Sequence, residues 1–292
     1  MSILVTGGAG FIGSHVLDRL AELNRPAVCL DNFNDFYEPQ VKRANISDAA
    51  SADCIEVVEG DIRDAGLVRR VFEEYEVHSV IHLAAVAGVR PSIEDPELYQ
   101  DVNCGGTMTL LNETARADVD RFIFGSSSSV YGGNTSIPFT EDQSVGQPIS
   151  PYAATKRSGE LFCHTFHHLH DIPTVCLRLF TVYGPRQRPD LAIHKFTDLI
   201  ARGEPIPLYG DGTSRRDYTY CADVVDGIMA ALEADLDFEI INLASNRPVQ
   251  LTELVELIEH AMDTEAERNW LPEQPGDMHV TYADISRARR LL

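Results

Sequence analysis

The stretch ILVTGGAGFIGSHV (residues 3–16) decides the fold. An apolar, β-rich run meets Gly7, Gly10 and Gly13 at G-x-x-G-x-x-G spacing, and an apolar helical pattern restarts at Phe11 and Ile12. Such a turn lets the backbone approach a pyrophosphate, which then faces the positive end of the helix dipole. Alone, the pattern is equally an ordinary strand-turn-helix corner. Working outward, AVCLD (27–31) ends in Asp31, about 20 residues on, where a carboxylate can bind the 2′-hydroxyl of an adenosine ribose. No arginine adjoins Asp31, so NAD is expected rather than NADP, whose 2′-phosphate that carboxylate would repel. A third strand, in CIEVVEGD (54–61), runs out at Asp61 and Ile62, where the adenine of a dinucleotide would lie.

The alternation continues through a helix at 65–74, SVIHLAA (79–85), a helix at 102–117, RFIFGSS (121–127), a helix at 152–170 and TVCLRLF (174–180). Short apolar strands buried on both faces and separated by amphipathic helices predict an α/β fold, a Rossmann-type doubly wound parallel sheet. After about residue 181 the chain turns to Pro- and Gly-punctuated pieces, such as YGPRQRPD and RGEPIPLYGDGTSRRDYTY. The expected division is a dinucleotide-binding domain over 1–180 and a smaller mixed α/β substrate lobe over 181–292, with some segments interleaved.

Composition narrows the function classes. With 45 acidic against 24 basic residues the net charge is −21, which argues against nucleic-acid or anionic-membrane binding. Lys42, Lys156 and Lys195 are the lysines. An acidic, lysine-poor surface suits high salt, and drift in a GC-rich genome removes lysine equally well. No apolar stretch reaches the ~20 residues that span a bilayer and no signal sequence is evident, so a cytoplasmic protein is expected. The six cysteines are scattered without a C-x-x-C pair, which suggests buried free thiols rather than disulfides or zinc ligands. HTFHHLH (164–170) offers histidines at helical spacing but no acidic or cysteine partners, so a solvated helix face is expected and no metal. Asp211, Asp217 and Asp223 read as loop and cap residues.

SPYAATK (150–156) puts Tyr152 and Lys156 four apart at a helix start, on one face. An ammonium beside a phenol favours the phenolate, which can then take a proton from an alcohol. GSSSSVYGGN (125–134), just after an apolar strand, could be a flexible loop or the hydroxyl part of a catalytic site.

Together these motifs, with HLAAVAGVRPS, SSSSVYG, LRLFTVYGPRQRPDLA, RRDYTY and PGDM, resemble the extended short-chain dehydrogenase/reductases, specifically the nucleotide-sugar epimerases. The resemblance covers nearly the whole chain. It implies bound NAD, a catalytic set of Ser127, Tyr152 and Lys156, and a cofactor wall that adds Asn32, Leu83, Ala84, Ala85, Asn103, Ser126 and Phe180. Relatives that dehydrate or decarboxylate their sugar are similar to T-D-E-V-Y-G or T-S-E-V-Y-G; Ser129 stands in place of that glutamate, which points to simple epimerisation. DNFNDFYEPQVKRAN and FTVYGPRQRPDLA look most like the UDP-glucuronate 4-epimerases. That subgroup implies Thr181 and Arg188 at the uronate carboxylate, Ser128 on the sugar or carboxylate, Arg90 facing the substrate, Arg216 on the UDP phosphates, Tyr209 near uracil and Asp277 at a ribose. UDP-glucose/UDP-galactose or N-acetylhexosamine epimerisation is the alternative, as is a non-catalytic NAD- or sugar-nucleotide-binding regulator on the same fold. Gln274 replaces a second phosphate-binding arginine of many UDP-galactose epimerases. Relatives usually continue for another helix or two beyond the position of Leu292, and a homodimer built through two helices per subunit is implied by the resemblance.

Overall fold

The computed structural model describes residues 1–273, 276 and 278–292. In chain order the strands are β1 (Ser2–Thr6), β2 (Ala27–Asp31), β3 (Ile55–Glu59), β4 (Val77–His82), β5 (Arg121–Ser127), β6 (Thr174–Leu179), β7 (Thr181–Tyr183), β8 (Ile206–Tyr209), β9 (Arg215–Tyr220), β10 (Phe238–Leu243), β11 (Pro248–Gln250) and β12 (Arg268–Leu271). A seven-stranded sheet has the order β10-β6-β5-β4-β1-β2-β3, and every adjacent pair is parallel. The order reverses direction between β1 and β4, so a crevice opens at the carboxyl ends of those strands, where this topology binds ligands. The sequence expectation of a doubly wound parallel sheet is therefore met.

Burial on both faces explains the uninterrupted apolar strands. β2 is buried at every position, and the core on one face joins Val16, Leu17 and Leu20 to Ile3, Val5 and Ile81. On the other face Val68, Val71 and Phe72 pack with Leu110, Leu111, Phe122 and Phe124. The second lobe has its own core of Phe196, Ile200, Leu208, Leu254, Val255 and Ile258, around a three-stranded sheet β11-β9-β7 and the pair β12-β8. One segment is interleaved: the helix Cys221–Glu233 packs Val224, Val225 and Ile228 into the core beside Val16 and Leu17, and β10 then extends the large sheet. Hydrophobic patterning cannot reveal such a return, because it says which face is apolar and not which sheet receives it.

Two local departures from the sequence reading matter for the site. The helix expected at 102–117 opens with a π-helical turn, Gln100–Gly106, before the α-helix Thr107–Arg116. The wide turn carries Asn103 inward, and the Thr107 hydroxyl closes it by donating to the Asn103 carbonyl at 2.5 Å. Asp217, expected in a loop, lies instead inside β9 and is fully buried. Its carboxylate accepts from Ser245 N at 3.0 Å, Ser245 Oγ at 2.6 Å and Ala283 N at 3.2 Å, tying three segments together. The cysteines are free, and five of them are buried, Cys54 being half-buried.

Candidate active site

A cleft of about 620 Å³ runs across the carboxyl ends of the central strands. At its floor, β1 turns at Gly7, whose φ is +69°. A Cβ there would lie 2.7 Å from the backbone nitrogen of Ala84, so both the conformation and the close approach require glycine. The next helix, Phe11–Glu22, starts at Gly10 with no side-chain cap, leaving its first N–H groups directed to the cleft that Gly7, Gly10, Phe11, Ile12 and Gly13 line. An uncapped helix start in a glycine cradle is a fit for a pyrophosphate.

At the end of β2 the buried Asp31 carboxylate accepts from Ala9 N at 3.0 Å and Phe33 N at 2.8 Å, which ties the glycine turn to the second strand. Burial raises its pKa, and those two N–H groups and Lys42 oppose the rise. Lys42, marked in the sequence only as one of few lysines, lines the cleft and donates to Asn34 O at 2.7 Å and Asn34 Oδ1 at 2.6 Å. Farther along, Asn32 donates to Asp61 at 3.0 Å, and the Arg63 guanidinium holds the Asp61 carboxyl down to about 2. Leu83, Ala84, Ala85, Ser126 and Phe180 line the same cleft, as do Asn32, Asp61 and Ile62. Asn103 does not. It is buried behind the wall, where it accepts from Val86 N at 2.8 Å and donates to Val86 O at 3.0 Å and Thr155 Oγ1 at 3.1 Å. It shapes the loop after β4 rather than facing the cleft.

Opposite the glycine turn, the helix Pro151–His170 begins with Ser150 capping Ala153 N at 3.1 Å and proline in its first turn. That start sets Tyr152 and Lys156 on the cleft face. Lys156 donates from Nζ to Gly125 O at 2.8 Å, and burial draws its pKa down to about 8. Burial pushes Tyr152 up from the usual phenol value, and the Ser127 hydroxyl and the Arg188 guanidinium pull it back. The groups that lower it are thus Ser127 and Arg188, where the helical spacing alone pointed to Lys156. The serines close the wall. Ser127 caps a 3-10 turn, Ser128–Tyr131, by accepting from Ser129 N at 3.2 Å, and Ser129 Oγ also donates to Ser127 Oγ at 3.0 Å. Ser128, Ser129, Thr181, Arg188 and Arg216 share the lining.

Two other expected substrate residues are not in that lining. Arg90 and Tyr209, far apart in sequence, meet with the guanidinium carbon 4.3 Å from the ring centroid, and neither is among the lining residues. Arg216 donates to His279 O at 3.2 Å. Asp277 and Gln274 fall outside the described residues. Sequence reasoning missed Phe36, Tyr37, Arg63, Met278 and Thr281, which also line the cleft. DNFNDFYEPQVKRAN contained the first two, but nothing in its periodicity marked which residues turn inward.

Comparison with known proteins agrees with this geometry. Residues 3–244 match the model of the NAD dependent epimerase/dehydratase family. UDP-glucuronate 4-epimerase of Thermodesulfobacterium geofontis is 40% identical over 290 residues, covering 99% of this chain and 89% of that one. Among solved structures, a UDP-glucuronic acid 4-epimerase from Bacillus cereus in complex with UDP-glucuronic acid and NAD superposes with a TM-score of 0.95 at 37% identity, covering 100% of this chain and 93% of that one. A UDP-glucose 4-epimerase from Thermotoga maritima with UDP-glucose gives 0.91 at 32% identity, with 99% and 92% covered.

Proposed function

Because the chain belongs to the NAD dependent epimerase/dehydratase family, we propose that it is an NAD-dependent UDP-sugar 4-epimerase that interconverts UDP-glucuronate and UDP-galacturonate. One observation carries the reading: Ser127, Tyr152 and Lys156 share the wall of a single cleft with an uncapped glycine turn and with Arg188.

When bound, NAD supplies the acceptor and later the donor of the C4 hydride. Gly7, Gly10 and Gly13 would hold its pyrophosphate, Asp31 a ribose hydroxyl and Lys156 the ribose at the reacting end. Tyr152 takes the proton of the sugar 4-hydroxyl and returns it after the 4-keto sugar has presented its other face. Ser127 holds the oxygen whose charge changes, and Ser129 fixes Ser127. Ser129 also leaves that position without the carboxylate that elimination or decarboxylation would use. Arg188, Thr181 and Ser128 take the uronate carboxylate, for which a planar guanidinium is well suited. Arg216 takes the diphosphate, Arg90 faces the substrate and Tyr209 lies near the uracil.

The test is direct. Purified protein is incubated separately with UDP-glucuronate, UDP-glucose and UDP-N-acetylglucosamine, and the 4-epimers are resolved chromatographically. Conversion of the uronate supports the reading; conversion of neutral sugars alone replaces it with the neutral-sugar activity, and release of carbon dioxide replaces it with decarboxylation.

The same reading includes a cytoplasmic homodimer. Leu161 and Leu169 on the helix Pro151–His170 are 51% and 65% exposed, an apolar surface that a second copy would cover. Light scattering that gives a single-chain mass would remove the dimer. Among the described residues no helix is long and apolar enough to cross a membrane.

A further inference from the structure

Arg188 does not stand alone at the cleft. Its Nε donates to Asp190 Oδ1 at 2.9 Å and its Nη2 to Asp190 Oδ2 at 2.8 Å, a two-point grip in a plane. The two residues occupy different sides of the wall. Arg188 lines the cleft and its side chain is 19% exposed, whereas Asp190 is not among the lining residues and its side chain is 43% exposed. The acid therefore takes the guanidinium from outside. The edge formed by Nη1 and the second Nη2 hydrogen is left for a carboxylate inside the cleft.

The loop that carries Arg188 and Asp190 is held at several points beside them. Gln187, itself buried, donates to Val182 O at 3.0 Å and accepts from His194 N at 3.0 Å, and the His194 ring meets Gln187 O at 2.7 Å. Arg186 pairs with Asp18 at 2.6 Å and His15 meets Pro185 O at 2.9 Å, so the loop is fastened to the helix that starts at the glycine turn. On the inner side the Phe36 ring stands 5.3 Å from the guanidinium carbon.

We propose that Asp190 is a positioning residue for the uronate preference: it orients the Arg188 fork from outside the cleft so that the free edge meets the sugar carboxylate. This rests on the uronate reading above. A long arginine side chain without such a grip samples many rotamers, and ordering it at binding costs affinity. Asp190 also balances the charge of Arg188 beside Tyr152 and Tyr37. Neutralisation weakens attraction for an anion, and the orientation of the fork outweighs that loss.

KM and kcat for UDP-glucuronate, and Kd for UDP alone, are measured for the full chain and for Asp190→Ala, Asp190→Asn and Asp190→Glu. Asp190→Ala is expected to raise KM for the uronate about tenfold with kcat within about twofold and Kd for UDP unchanged. Asp190→Asn should fall between, because one amide oxygen still accepts, and Asp190→Glu should recover part of the loss. A KM for the uronate that is unchanged or lower in Asp190→Ala overturns the proposal, the lower value marking Asp190 as a competitor for Arg188. An equal weakening of UDP overturns it too, since that marks a general collapse of the loop. An unsubstituted protein that does not turn over UDP-glucuronate removes the uronate reading and this inference together, whereas normal turnover with an unaltered Asp190→Ala removes the inference alone.

Discussion

The ammonium of Lys156 lies 2.8 Å from the carbonyl oxygen of Gly125, inside a wall where it is almost wholly buried. That hydrogen bond offsets only part of the lost hydration, which is why burial draws its pKa to about 8. A lysine whose folded pKa lies below its unfolded value binds fewer protons folded than unfolded, so stability rises with pH between about 8 and the unfolded value and is at its lowest below 8. Replacing it with Met removes that cost and leaves the Gly125 carbonyl unpaired. We expect Lys156→Met to unfold at a higher temperature at neutral pH, by on the order of 1–2 kcal/mol of stability, while turnover falls at least ~100-fold. Calorimetry at pH 7 and pH 10 checks it, and the gain must shrink at the higher pH.

Beneath the serines a second buried charge is fully paired. The Glu160 carboxylate accepts from Arg178 at 2.8 and 3.0 Å, from Ser126 Oγ at 2.6 Å and from Arg157 at 2.8 Å. Arg178 faces the Tyr131 ring at 4.8 Å and is 1% exposed. Glu160→Gln strands the Arg178 guanidinium and should cost about 3–5 kcal/mol in urea denaturation, whereas Arg178→Met leaves Glu160 its bonds from Arg157 and Ser126 and should cost less. Removing both should cost less than the sum of the two, because the pair fails together.

These two clusters mark the limit of what the sequence revealed. Gly7 and Gly10 were legible because their role is dictated by the backbone, and Tyr152 with Lys156 because four residues along a helix is one face. Ser127 was legible only by register to Tyr152. Asn103, Asp217 and Asp190 were misplaced or passed over, for a shared reason: each acts on a partner set by the tertiary fold or by a local turn, and no periodicity records it. Some interleaving is expected from the sequence, but that Cys221–Glu233 and β10 are the segments that return to the large sheet is set by the tertiary fold in the same way.

His82, at the end of β4, lies between Thr6 Oγ1 and Thr107 Oγ1, 2.8 Å from each. Burial pushes its pKa down to about 3, and the nearby Lys156 adds to the effect. The folded chain keeps this imidazole neutral while the unfolded chain protonates it, so stability is lost as pH falls from about 6.5 toward 3, at up to about 1.4 kcal/mol per pH unit. His82→Leu should be less stable at pH 7 by about 2 kcal/mol, because both threonines lose a partner, yet its stability should fall less steeply on acidification. Urea midpoints at pH 7, 6 and 5 give the comparison, and parallel slopes would sink the assignment.

Gly7 carries a prediction that separates cofactor from fold. Its φ is +69°, and an added Cβ would stand 2.7 Å from Ala84 N, so Gly7→Ala strains the turn by roughly 1–3 kcal/mol and displaces the loop after β4. The expected outcome is a folded protein that purifies with little NAD, read from its absorbance ratio and from turnover restored only by added cofactor.

Ser127 and Tyr152 make the sharpest test of the chemistry. Burial raises the Tyr152 pKa, and the Ser127 hydroxyl lowers it by hydrogen bonding. Proton abstraction needs the phenolate, so turnover should increase with pH through the Tyr152 titration. Removing the hydroxyl takes away a group that favours the charged form, so the titration moves further up. We therefore expect Ser127→Ala to lose about 100-fold in kcat near neutral pH and to regain part of it at alkaline pH, with the rising limb displaced upward. Tyr152→Phe has no proton to lose and should show no rising limb at any pH. A Ser127→Ala profile that coincides in shape with the unsubstituted protein would mean that the serine only holds the sugar, and that Arg188 alone tunes the base.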